Sequence, residues 1–154
     1  MKKVINVDSS DQTESIASKI GANLRGGETI ELVSDVGGGK TTFTRGLVRG
    51  AGSRDHVSSP TFTISNIYQA PKFAICHFDF YRLPEAGIIE HQLHEDVELG
   101  RDVLVVEWSD VVKEVLPKNR LSIHIKSTSD EGREFEFDCS KELEYLIDDV
   151  DTDN

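Results

Sequence analysis

Residues 34–42 read "SDVGGGKTT": three consecutive glycines, then a lysine and two hydroxyls. Backbone without Cβ atoms can close around an anion with its N–H groups turned inward, so Gly37, Gly38 and Gly39 read as the floor of a phosphate cradle. Lys40 would neutralise the β- and γ-phosphates, Thr41 would offer its hydroxyl to Mg²⁺, and Thr42 follows in the same turn. The usual pattern, G-x-x-x-x-G-K-[S/T], asks for a glycine at the position that holds Ser34. Serine is strained there if the chain needs φ > 0 and is tolerated if the position is extended. The chemistry on offer is the binding of a nucleoside triphosphate.

Other residues could complete such a site. Asp79 sits between aromatics at the end of an expected strand, where a carboxylate can hold a metal, directly or through water, or orient an attacking water. Capping a helix or pairing with Arg82 would use the same group for structure. Glu107 closes the run "DVLVVE", and a charge ending so apolar a stretch needs a partner. Thr61 follows Pro60 in "SPTF", as part of a stiffened turn or of a site. Trp108, the single tryptophan, is a core anchor or a ring beside a ligand. His91 and His94 stand three apart among acids in "EHQLHED", but no third ligand of the right type accompanies them. An exposed polar helix explains them better than zinc does.

Positioning these groups requires strands that end where the loops begin. "TIELV" (29–33) is apolar enough to be buried on both faces and flows straight into the glycines. Phe43, Leu47 and Val48 mark the inward face of a helix behind them, stopping at "RGAGS". Ahead lie an edge strand, "KKVINV", and a helix over 12–24, capped from "DSSD" and stopped by "RGG". "TFTISNIYQ" and "FAICHFDFY" read as a hairpin joined by "APK". A helix is expected from Pro84 onward, and "DVLVVEW" is the most strand-like, central segment. "SDVVKEVLP" reads as a short capped helix, and "RLSIHIKST" with "REFEFDC" as a second hairpin. Strands alternating with helices predict an α/β, three-layer sandwich of phosphate-loop type around a mixed, mainly parallel sheet. Residues 1–147 are expected to be one domain, and the acidic run 148–154 a frayed tail.

Composition narrows the function classes. Seventeen Lys and Arg against 28 Asp and Glu leave a net charge of −11 over 154 residues. That field repels phosphodiester backbones, which argues against unaided nucleic-acid binding. Cys76 and Cys139 form no C-x-x-C pair and read as buried thiols in a reducing compartment. No apolar run approaches the ~20 residues that span a bilayer and the N-terminus lacks a signal-peptide core, so a cytoplasmic protein is expected.

Four motifs in order, "VGGGKTTFTRGL", "SSPTF", "HFDFYRL" and "VVEW", together resemble the TsaE family over about residues 13–133. These are bacterial P-loop ATPases needed for threonylcarbamoyl modification of adenosine beside the anticodon of tRNA. Ser34 departs from the glycine normal in that family, and Gly38 stands where alanine is common. The resemblance implies ATP and Mg²⁺ as cofactors, with Glu107 at the metal and Thr61 in a switch loop that senses the γ-phosphate. It further implies that Trp108 lies near the nucleotide, that Thr13 reaches it unless it only caps its helix, and that Arg133 meets the base or ribose unless it is a solvated hairpin residue. The implied partner is the TsaD–TsaB heterodimer, with tRNA met only indirectly through that complex. A small-molecule kinase or a non-catalytic nucleotide-binding module are the competing readings. A kinase would need a basic lid, and eight arginines form no such cluster.

Overall fold

The computed structural model describes residues 1–34, 39–58, 65–80 and 87–151. Their strands are β1 (Lys2–Val7), β2 (Thr29–Val33), β3 (Ser65–Gln69), β4 (Ala74–Asp79), β5 (Val103–Glu107), β6 (Leu121–Ser127) and β7 (Arg133–Cys139). The α-helices are α1 (Ser10–Asn23), α2 (Lys40–Gly50) and α3 (Gly87–Leu99). The strands form one sheet in the order β1-β7-β6-β2-β5-β4-β3. Its centre is parallel, β6 with β2, β2 with β5 and β5 with β4. Antiparallel hairpins close both flanks, β3 with β4 and β6 with β7, and β1 adds to β7 as an edge.

Strand β5 shows why the sheet needs cover on both sides. Its Val103 and Val105 enter one apolar cluster with Ile16 and Ile20 of α1 and Phe43 and Leu47 of α2. Leu104 and Val106 point the other way, into a second cluster with Leu93 of α3. Side chains that alternate across a strand, each buried, require helices on both faces. The three-layer expectation therefore holds.

Helix α1 starts where the sequence offers caps: the Ser9 side chain accepts from the Gln12 N–H at 3.2 Å, and the Asp8 N–H donates to Gln12 Oε1 at 2.6 Å. Its packing on α2 depends on close approach. A Cβ at Gly46 would lie 2.5 Å from the Glu14 carbonyl oxygen, and one at Gly50 would lie 2.1 Å from that of Ser18. Glu14 also pairs with Arg45 and Arg49. The two helices are thereby locked together, and the first residue of α2 is Lys40.

Two expectations are modified. The segment after Trp108 is a 3₁₀ turn, Ser109–Val112, rather than a capped helix, because Trp108 enters it in a left-handed conformation with no side-chain cap. The acidic end is not frayed through residue 151: Val150 is fully buried, the Asn23 amide donates to Leu146 O and Asp149 Oδ1, and Lys19 donates to Asp151 O. One valine anchors a run whose composition reads as solvated; residues 152–154 lie outside the described residues. Pro84 also lies outside them, and α3 begins at Gly87. Both cysteines are free and buried, and burial, helped by Asp96 and Asp102, pushes the Cys76 thiol up to about 12. Among the described residues no helix is long and apolar enough to cross a membrane.

Candidate functional site

Parallel strands β2, β5 and β4 end on one edge of the sheet, where Leu32 and Asp79 both flank Glu107 in register. Alternation sets direction. Glu107 is in phase with Val103 and Val105, and His77 and Asp79 with Ile75, so all of them lie on the α1/α2 side. Helix α2 starts above that edge. Its N-cap, Gly39, is left-handed at φ 101° and has no side-chain capping bond. The first N–H groups of α2 thus receive no bond from the cap residue, and the positive end of the helix dipole lies with them, as at helix N-termini that attract anions.

Lys40 is buried, and its Nζ donates to the Ser34 carbonyl at 3.3 Å. It also stands 3.8 Å from Glu107 Oε1 and 4.7 Å from the centroid of the Trp108 ring. Trp108 has φ 55°, the single positive φ of a non-glycine among the described residues. A bulky side chain held there costs on the order of 1–3 kcal/mol, a strain that concentrates at functional sites. The ring face offers its quadrupole to the ammonium, which fixes Lys40 without neutralising it.

The structure brings most of the expected residues together. Gly39, Lys40, Thr41 and Thr42 form the N-terminal turn of α2, with Glu107, Asp79 and Trp108 at the strand ends beneath it. Arg133, at the start of β7, also arrives: its Nε lies 3.5 Å from where a Cβ on Gly39 would stand. Its Nη1 donates to the carbonyls of Ser129, Asp130 and Gly132, which holds the guanidinium at that place. Thr13 sits on the buried stripe of α1, and the cap there is Ser9, so capping does not explain it. Gly37, Gly38, Thr61 and Arg82 lie outside the described residues. His94 stands 4.0 Å from Glu98, both well exposed.

Ser34 is not in the left-handed region, so the missing glycine strains nothing. What that position supplies to Lys40 is its carbonyl, which any residue carries.

Sequence reasoning passed over His77. Its ring is wholly buried, and Nε2 stands 2.5 Å from Glu107 Oε2. The available signal was "CHFDF", in which positions 77 and 79 are both polar and in phase on a strand otherwise built for burial. On the opposite face of the sheet, a cavity of about 370 Å³ of mixed lining, including Glu31, Val33, Arg120, Ser122 and His124, borders the site at Ser34 and Trp108.

A family model described as "Threonylcarbamoyl adenosine biosynthesis protein TsaE" matches residues 7–135. The chain belongs to the TsaE family. The matched span contains every site residue named above. Among TsaE relatives, each named tRNA threonylcarbamoyladenosine biosynthesis protein TsaE, that of Bacillus subtilis is 37% identical over 82% of this chain and 79% of its own length. The Streptomyces coelicolor TsaE is 40% identical over 71% of this chain and 78% of its own. The Aquifex aeolicus TsaE is 33% identical over 81% and 96%. A crystal structure of Bacillus subtilis YdiB superposes with a TM-score of 0.77 at 29% identity, covering 97% of this chain and 94% of that one. Family membership places the chain in tRNA threonylcarbamoyladenosine biosynthesis.

Proposed function

We propose that the chain is a Mg²⁺-dependent ATPase that supports threonylcarbamoyl modification of tRNA adenosine next to the anticodon by acting on the TsaD–TsaB transferase module. The observation that carries this reading is the placement of Lys40. A buried ammonium at a helix N-terminus that opens with a glycine, facing a carboxylate at the end of a parallel strand, is an arrangement suited to a triphosphate.

In this reading the N–H groups of the first turn of α2 bind phosphate oxygens, and Lys40 bridges the β- and γ-phosphates. Arg133, beside Gly39, meets the base or ribose. Thr41, Asp79 and Glu107 would hold Mg²⁺, and as a hydroxyl with two carboxylates they form the hard oxygen donor set that this ion takes. Bound there, the ion would supply charge neutralisation to the phosphates. Glu107 and Asp79, adjacent across the β4–β5 register, orient the attacking water. Turnover alone is slow, since the sequence fixes no arginine finger for the γ-phosphate, and docking on the partner completes the site.

The net charge of −11 supports a division of labour in which the partners hold tRNA. The test is reconstitution with purified TsaD and TsaB under multiple turnover. Threonylcarbamoyladenosine should accumulate beyond one equivalent only with this chain and ATP, and Lys40→Ala should abolish both the gain and calorimetric ATP binding. Full modification with Lys40→Ala would overturn the proposal.

A further inference from the structure

We infer that His77 is a positioning residue for the hydrolysis proposed above, an inference that rests on that reading: its ring fixes the orientation of the Glu107 carboxylate. The ring is 0% exposed, on a strand position that faces the α1/α2 core with Ile75. Its Nε2 meets Glu107 Oε2 at 2.5 Å, a short bond, and its Nδ1 has no partner among the described residues. A histidine kept for packing would be better replaced by an apolar side chain, because a buried ring nitrogen without a partner is costly. Among the described residues, the contact to Glu107 is what offsets the cost of a polar ring at this place. A carboxylate offers only acceptors, so Nε2 carries the hydrogen and donates it.

The consequence lies at the other oxygen. With Oε2 held by His77, Oε1 stands 3.8 Å from Lys40 Nζ, beyond hydrogen-bond length. The lysine is attracted but not captured, and Oε1 keeps its lone pairs for water or metal. Without the ring, Glu107 can rotate about its side-chain torsions and close on the ammonium. A triphosphate, carrying more charge than one carboxylate, would still win Lys40, so binding would survive. The carboxylate would lose its aim, and the chemical step would suffer. Partners that orient a ligating group in this way typically matter by about 10- to 100-fold.

The test uses the full chain with its partners and reads phosphate release, calorimetric ATP affinity and melting temperature. His77→Leu should lower kcat by about 10- to 100-fold with affinity within about threefold. Glutamine places its amide nitrogen near the position of Nε2, whereas asparagine reaches only to that of Nδ1. His77→Gln should therefore recover most of the rate and His77→Asn should not, and that pair decides the matter even if the leucine variant fails to fold. In a Glu107→Gln background, His77→Leu should slow the reaction no further. Release by His77→Leu at the wild-type rate, equal rates for the Gln and Asn variants, or a full additional loss beside Glu107→Gln would each overturn the inference alone. No release from the wild-type protein would instead sink the ATPase reading, and this inference with it.

Discussion

Two buried carboxylates, Glu28 and Glu107, sit at opposite edges of the same parallel sheet with almost equal exposure, 4% and 3%. Glu28, just before β2, is saturated. It accepts from the backbone N–H groups of Arg25 at 2.8 Å and Gly26 at 2.7 Å and from the Tyr145 hydroxyl at 2.6 Å. Burial and that last bond push the Tyr145 phenol upward, while Arg25 stacks on its ring at 3.8 Å. Glu107, at the end of β5, has the His77 bond and an ammonium at 3.8 Å. Burial does not separate the two; the number of donors does. The first carboxylate staples a turn to the C-terminal segment, and the second retains acceptor capacity at the edge where parallel sheets bind ligands.

The sharpest break of that contrast is Glu107→Ala. Phosphate release should fall by about 100-fold or more while ATP affinity changes far less, because the charge acts on the reacting end and not on the cradle. Comparing release assays with calorimetry checks it, and an equal loss in both would make Glu107 a binding group. Glu28→Ala should do the reverse. Losing three bonds to a buried charge costs about 3 kcal/mol or more, a fall of about 10 °C in melting temperature for a chain of this size. The rate per folded molecule should not change. A Glu28 variant that melts normally but hydrolyses slowly would erase the distinction drawn here. The smallest effect is expected at Ser34→Gly: since φ at Ser34 is not positive and its carbonyl makes the contact to Lys40, affinity should stay within about twofold of wild type. A clear loss would assign the serine hydroxyl a ligand contact.

Much of this was legible beforehand. Strand β2 matches the expected 29–33, and α1 lies within two residues of the expected 12–24 at each end, because a capping serine, a glycine stop and apolar spacing act over a single turn or strand. The lysine turn and the acid at the end of β5 were equally visible, as features of consecutive residues. Less visible were groups whose meaning depends on a neighbour far along the chain. His77 reads as one more polar residue in a strand until β4 pairs with β5 and sets its ring against Glu107, thirty residues on. Val150 reads as a stray valine among aspartates until the α1 end and the sheet provide its pocket.

Taken alone, the sequence determined the chemistry of the proposed cradle, since the glycines, the lysine and the hydroxyls all come from one local run between a strand and a helix. Its order of motifs also determined the family. Tertiary structure alone decided which carboxylate is poised and which is spent, and that Arg133 reaches Gly39. It also decided that serine at position 34 carries no backbone strain. Those outcomes depend on strand register and backbone torsion, which are set by the burial of both sheet faces at once and are not written in any short stretch of residues.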